Sequence, residues 1–133
     1  MKFIGLDTSV ILRLLTGTPE AQAKAAMRYL QELHKKQERA VVSDLVVAES
    51  YYALSYHYRV PRSEATEQLA NLLHSGYVFA EPGGVAMDAL KQAGKGNAGF
   101  VDRIIREQYL KFVAEIATFD IQFSRLPKMR LLR

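Results

Sequence analysis

The stretch Phe3-Ile4-Gly5-Leu6-Asp7 is a short apolar run that ends on a carboxylate. Three further apolar runs without alternation follow it, at 40–42, 77–80 and 116–119. Continuous apolar runs of this length are typical of strands buried on both faces of a parallel sheet. We therefore predict four buried strands, with a short edge strand at 129–132.

Amphipathic stretches separate these runs and carry helix-start and helix-stop residues. Pro19, Ser43 and Pro61 mark three predicted helix starts, while Gly76 and Gly94 mark two ends. A further helix is predicted from about 99 to 113. Alternation of strands and helices predicts a single α/β domain over residues 1–133, with a parallel sheet and right-handed crossovers.

Composition restricts the function classes that this domain can serve. The chain has 133 residues and no cysteine, which excludes disulfides, zinc–thiolate centres, iron–sulfur clusters and cysteine nucleophiles. No apolar run is long enough for a membrane span, and Asp7 interrupts the first run too early for a signal peptide. We therefore expect a cytoplasmic protein without a membrane partner. The net charge of +4 favours polyanionic partners, although a solvated basic surface explains it equally well.

Four acids are predicted to lie at one edge of the sheet. Asp7 and Asp120 directly follow the first and fourth apolar runs, at the carboxyl ends of two strands. Glu49 and Asp102 lie in the early turns of two helices that begin at this same edge. In a parallel α/β sheet this edge is where ligands bind. The four carboxylates are therefore expected to converge.

Converging carboxylates need a cation, because like charges raise one another's pKa. Hard oxygen ligands suit Mg²⁺ or Mn²⁺ rather than zinc. A divalent ion in such a site serves phosphodiester hydrolysis, and the basic surround would attract the phosphates. The alternative is structural: Asp7 and Asp102 would complement helix dipoles, and Asp120 would be a turn residue.

Four segments resemble, in order, the acidic motifs of PIN domains, especially the short VapC-type toxin ribonucleases. The segments are Asp7-Thr8-Ser9-Val10-Ile11-Leu12-Arg13-Leu14-Leu15, Ser43-Asp44-Leu45-Val46-Val47-Ala48-Glu49, Gly99-Phe100-Val101-Asp102 and Thr118-Phe119-Asp120. The gaps are also similar, with 42 residues from Asp7 to Glu49 and 18 from Asp102 to Asp120. Each motif alone is weak, but the ordered set covers almost the whole chain.

The resemblance implies a three-layer α/β/α PIN-like fold with a central, mostly parallel sheet of four to five strands. It further implies a metal-dependent endoribonuclease that acts on RNA, forms a homodimer and is often blocked by a small antitoxin protein. Carried over by position, Asp7, Glu49, Asp102 and Asp120 would bind Mg²⁺ or Mn²⁺ and activate the attacking water. Thr8, Ser9 and Thr118 match polar positions that would orient a carboxylate or a phosphate.

The chain departs from the family pattern near Asp102. Many relatives carry a further acid just before this position, where Asn97, Ala98 and Gly99 stand here. Its absence keeps open a non-catalytic PIN-like module that binds RNA or protein. A nuclease of RNA processing outside any toxin–antitoxin pair is a separate alternative. Arg103 stands where a small residue is common, and we expect it to point into solvent.

Two other patterns have competing interpretations. The segment 94–99 matches G-x-G-x-x-G, but a predicted helix rather than a strand precedes it, so we interpret it as a loop and not as a dinucleotide site. A tyrosine cluster follows Glu49, and packing is the favoured interpretation over base stacking. Its members are Tyr51, Tyr52, Tyr56 and Tyr58.

Overall fold

The computed structural model describes residues 1–94 and 98–133. In this part of the chain five strands lie close to the predicted apolar runs, each three or four residues long. The strands are β1 (Phe3–Gly5), β2 (Arg39–Val42), β3 (Val78–Ala80), β4 (Ile116–Thr118) and β5 (Met129–Leu131). The predicted positions of the strands, including the short last one, are therefore confirmed.

All strand pairs in the described residues are parallel, but they form two sheets. One sheet has the order β1-β2-β3, with Ile4 opposite Ala40 and Val41 opposite Phe79. The other contains β4 and β5 alone, with Ala117 opposite Arg130. The expected single sheet of four to five strands is not confirmed. Apolar runs predict where short strands lie, but they do not specify which backbone edges pair.

Helices connect the parallel strands, as an α/β domain requires. The described helices are α1 (Thr8–Thr16), α2 (Glu20–Lys35), α3 (Asp44–Tyr52), α4 (Arg62–Leu73), α5 (Ala86–Gln92), α6 (Phe100–Tyr109) and the short α7 (Ile121–Ser124). A π-helical turn, Ala53–His57, extends α3. The helix predicted to reach residue 113 ends earlier, at Tyr109.

The core lies between the three-stranded sheet and these helices. Helix α2 packs on β2, α4 packs on β3, and α3 contacts α1, α4 and α6. Ile11, Leu54 and Val78 are fully buried in this core. Helix α3, which bears Glu49, thus lies against both the helix that begins after Asp7 and the helix that bears Asp102.

A buried carboxylate joins three of the helices. Asp44, the first residue of α3, is 3% exposed. Its Oδ1 accepts hydrogen bonds from the backbone N–H groups of Val85 and Ala86, at 3.0 and 2.9 Å, where α5 begins. Its Oδ2 accepts one from Gln108 Nε2 of α6, at 3.0 Å. Asp44 therefore ties α5 and α6 to α3, and it helps to place the helix that bears Asp102.

The turn before α5 needs a glycine because of this arrangement. A Cβ atom on Gly84 would lie 2.8 Å from Asp44 Oδ1 and 2.7 Å from Glu81 Cγ, closer than packed atoms allow. Glu81 cannot readily withdraw, since its Oε1 accepts a hydrogen bond from the backbone N–H of Asp44 at 2.9 Å. The Glu81-Pro82-Gly83-Gly84 turn and Asp44 are thus fitted to each other.

Two further sequence expectations concern the glycine-rich segment and membrane spans. The element before the glycine-rich segment is a helix, α5, as predicted, whereas residues 95–97 of that segment lie outside the described residues. Across 1–94 and 98–133, none of the helices has the length and apolar character needed to cross a bilayer.

Candidate active site

Asp102 and Asp120 lie close enough to interact electrostatically. Asp102 is half-buried in the first turn of α6, and Asp120 is the exposed N-cap of α7. Burial raises the pKa of the Asp102 carboxyl, and the negative charge of Asp120 raises it further. Two carboxylates from segments on either side of β4 therefore lie near each other and line the same cavity.

The position of Asp120 is fixed by hydrogen bonds on both sides of the turn after β4. The backbone N–H of Asp120 donates to Thr118 Oγ1 at 3.0 Å. Asp120 Oδ1 accepts a hydrogen bond from the backbone N–H of Phe123 at 3.0 Å, which caps α7. Thr118 thus orients the backbone of Asp120, while Asp120 caps the following helix.

Asp7 is the N-cap of α1, and its carboxylate accepts hydrogen bonds from the first turn of that helix. Oδ1 accepts hydrogen bonds from the Ser9 hydroxyl at 2.6 Å and from the backbone N–H groups of Ser9 and Val10, at 3.0 and 3.3 Å. These bonds, that of the Ser9 hydroxyl above all, lower the pKa of Asp7. Oδ2 takes part in none of the three. Thr8, the first residue of α1, makes no side-chain hydrogen bond to Asp7 among the described contacts.

Glu49 lies on α3 with an exposed side chain, between the buried residues Ala48 and Ser50. The described residues contain no group of three or more histidines, aspartates or glutamates arranged to hold a metal ion together. Asp102 and Asp120 line one cavity, whereas Asp7 at the N-cap of α1 and Glu49 on α3 are not among the residues that line it.

The acidic pair opens onto a cavity of about 270 Å³. Tyr52, Tyr56 and Arg62 share its lining with Asp102 and Asp120. The Asp102 charge contributes to raising the pKa of Tyr52, after burial of the phenol, so the ring lies near this carboxylate. The described lining of the cavity thus combines acids, aromatic rings and an arginine.

A comparison with protein families matches residues 4–129 to the PIN domain. The chain belongs to the PIN domain family. Comparison with curated proteins and with solved structures gives no significant match. PIN domains are generally nucleases and typically use divalent metals, so the family places this chain among nuclease-type folds. The mixed α/β architecture with parallel strands is consistent with that membership.

The positions of the acids in this PIN domain also agree in part with the alternative that they stabilise helix ends rather than bind a metal. Asp7 and Asp120 cap helices, and Asp102 stands in the first turn of one. Helix capping explains the position of Asp7 and Asp120, since the N-terminal N–H groups need acceptors. The first-turn position of Asp102 also suits the dipole of α6. The dipole does not account for its partial burial or for its position near Asp120, both of which disfavour the ionised form of Asp102.

Three residues near the site were missed or misplaced by sequence reasoning. Arg62 begins α4, and no spacing rule links it to Asp102. The sequence around Asp44 predicts only a helix cap, but its carboxylate oxygens accept hydrogen bonds from the start of α5 and from α6. Arg103, expected to point into solvent, is 5% exposed and donates to Gln92 Oε1 at 3.0 Å. That expectation was wrong because α6 packs against α5, which buries the face that carries Arg103.

Removal of the Ser9 hydroxyl tests how Asp7 is held. We expect Ser9→Ala to raise the pKa of Asp7 towards its usual range, because the hydroxyl is the strongest stabiliser of the ionised carboxylate. Carboxyl NMR during a pH titration measures this. Thr8→Val, which removes a neighbouring hydroxyl that does not contact Asp7 in the described structure, should leave the value unchanged. An unaltered Asp7 pKa in Ser9→Ala would contradict the assigned hydrogen bond.

Proposed function

We propose that this PIN domain is a metal-dependent endoribonuclease that hydrolyses RNA phosphodiester bonds in the cytoplasm. The observation that carries the proposal is the Asp102–Asp120 pair, two repelling carboxylates at a cavity that also contains Arg62. A pair of this kind is costly unless a cation binds between or beside its members. The family is generally one of metal-using nucleases, which makes a divalent cation the natural occupant.

The donor set fits Mg²⁺ or Mn²⁺. Both ions prefer hard oxygen ligands, and Mg²⁺ is usually held by one or two carboxylates while it keeps several waters and takes phosphate oxygens. Asp102 and Asp120 would supply the first two carboxylates, and Asp7 and Glu49 would complete the acidic set. A bound divalent ion would supply a water of lowered pKa and would neutralise charge on the leaving oxygen.

The protein groups would hold the reacting atoms in place. Thr118 fixes the Asp120 backbone, and Ser9 fixes Asp7 Oδ1, so two of the four acids are already oriented by hydroxyl groups. Thr8 would contact a carboxylate or a phosphate from the start of α1. A carboxylate of the acidic set would accept the proton of the attacking water, in the manner of general base catalysis.

The role as toxin of a toxin–antitoxin pair extends this proposal and rests on the resemblance to VapC-type ribonucleases. A small antitoxin protein would then block the active site, and the chain would act as a homodimer. Exposed apolar side chains on α6 and just after it offer a face for such a contact, namely Ile105, Tyr109 and Phe112. A short neighbouring reading frame that encodes a protein able to suppress cleavage would support this role. If no such reading frame exists, a role in RNA processing outside a toxin–antitoxin pair is favoured.

A second candidate function is a non-catalytic PIN-like module that binds RNA or a protein. The observation in its favour is that the described residues unite two acids rather than three or four. Under this alternative the acids would cap helices, and substitution of Asp102 would leave RNA binding unchanged.

Titration calorimetry with Mn²⁺ separates the two functions. We expect the wild-type chain to bind Mn²⁺, and a concentration one hundred times the dissociation constant should stabilise the fold by about 2.7 kcal/mol. Asp102→Asn should lose both the heat of binding and the thermal stabilisation. Asp88→Asn, which alters an exposed acid on α5, is the matched control and should keep them. Absence of Mn²⁺ binding at millimolar ion would favour the non-catalytic module.

A further inference from the structure

The tyrosine cluster after Glu49 divides into a buried part and an exposed part. Tyr51 is 6% exposed and packs on Phe100, with ring centroids 5.0 Å apart. Tyr52 and Tyr56 are 46% and 65% exposed and both line the cavity of the acidic pair. Packing therefore accounts for Tyr51, but it leaves two large aromatic rings in solvent beside Asp102 and Asp120.

The π-helical turn sets the arrangement of these two rings. The backbone N–H of Tyr58 donates to the carbonyl of Ala53 at 3.0 Å, five residues back, so the helix widens after Tyr52. The rings of Tyr52 and Tyr56 lie with centroids 5.8 Å apart and planes inclined by 32°. Widened turns of this kind occur frequently at functional sites. The result is a pair of neighbouring rings that face the same cavity.

Arg62 places a cation beside these rings. Its Nη2 donates to the Tyr56 hydroxyl at 3.4 Å, and its side chain lines the same cavity as the acids. None of the ion pairs found within 1–94 and 98–133 involves Arg62. A guanidinium is suited to phosphate because its planar donors match two phosphate oxygens at once.

We propose that Tyr52, Tyr56 and Arg62 form a platform for single-stranded RNA next to the cleaved bond. An unpaired base stacks on Tyr56 with Tyr52 beside it, and Arg62 holds a phosphate of the same strand. Rings of this kind bind bases without strong sequence preference, and bases within a duplex are not available for such stacking. The inference rests on the proposed ribonuclease function and adds to it three residues that hold the RNA strand beside the acidic pair.

Fluorescence anisotropy with a labelled, unstructured RNA oligonucleotide tests the platform. The measurement is made with chelator present, so that binding is independent of metal-dependent hydrolysis. We expect Tyr56→Ala to weaken binding by about fivefold to a hundredfold, and Tyr56→Phe, which keeps the ring, to bind nearly as the wild type does. The same RNA annealed to its complement should bind more weakly than the single strand.

The salt dependence separates the phosphate contact from the stacking contact. Arg62→Ala should lower the slope of log K against log salt concentration by about 0.7, the value for one phosphate contact on a single strand. Tyr56→Ala should leave this slope unchanged. Tyr29→Ala and Arg28→Ala on α2 are matched controls, since neither residue lines the cavity, and both should retain wild-type affinity and slope. Circular dichroism of each variant checks the fold.

The outcomes distinguish the platform from the nuclease function. The platform would be overturned if the wild-type chain failed to bind single-stranded RNA. It would also be overturned if Tyr56→Ala and Arg62→Ala bound this RNA with wild-type affinity. If those variants also cleave RNA with unchanged KM, the nuclease function stands without the platform. Binding that depends on Tyr56 and Arg62, in a chain that cleaves no RNA in Mn²⁺, would support the platform and overturn the nuclease function.

Discussion

Asp120→Asn and Asp102→Asn are each expected to abolish RNA cleavage while the fold survives. Each substitution removes one carboxylate of the interacting pair, so a divalent cation would lose a charged ligand and the leaving oxygen would lose its neutralising charge. Metal stabilisation of developing charge is worth several kcal/mol. With a factor of ten for each 1.36 kcal/mol, cleavage should fall by at least about 10²-fold.

The rate of cleavage of a defined RNA by purified variants measures this effect. Asp88→Asn is again the matched control, because it neutralises an exposed acid on α5 outside the cavity and should cleave at the wild-type rate. Melting temperatures confirm that the variants are folded. Cleavage at the wild-type rate by Asp120→Asn or by Asp102→Asn would show that the substituted residue is not required for catalysis.

Among the substitutions named here, Asp44→Ala is expected to lower the free energy of unfolding the most. The substitution leaves the buried N–H groups of Val85 and Ala86 without their acceptor and frees the Gln108 amide of α6. Each buried group left unsatisfied costs about 1–3 kcal/mol, so the free energy of unfolding should fall by roughly 3 kcal/mol or more. That is a large share of the ~5–15 kcal/mol by which domains are stable.

Urea unfolding of Asp44→Ala and of Asp88→Ala provides the comparison. Asp88 lies exposed in the first turn of α5, so its loss should cost less than about 1 kcal/mol. A cost for Asp44→Ala no greater than that for Asp88→Ala would contradict the assigned network. Because Asp44 also fixes α6, we further expect Asp44→Ala to lower nuclease activity through displacement of Asp102.

The strands were predictable from sequence because buried parallel strands leave a simple signal, a short apolar run between helix caps. The strand positions near Ile4, Val41 and Phe79 follow from it. The division into two sheets does not follow, since pairing depends on backbone edges rather than on side-chain type. The role of Asp44 could not be predicted for the same reason, because its hydrogen-bond donors lie 41 and 42 residues away at the start of α5 and 64 residues away on α6.

The candidate site was predictable in part for a similar reason. Parallel topology predicts that the end of β4 and the start of the preceding helix α6 lie at the same edge of a sheet, and Asp102 and Asp120 line one cavity in the structure. Arg62 and the exposed rings of Tyr52 and Tyr56 could not be assigned in this way. Periodicity of the α3 sequence suggests a regular helix, whereas the π-helical turn changes which side chains share a face.

Cleavage of a defined pool of single-stranded RNA by the wild-type chain tests the central claim most directly. The reaction is run in Mg²⁺ or Mn²⁺, in chelator, and in chelator followed by excess metal. We expect internal cleavage that requires the metal, disappears in chelator and returns when metal is restored. Intact RNA in the presence of Mn²⁺, or cleavage that persists in chelator, would contradict a metal-dependent ribonuclease centred on Asp102 and Asp120.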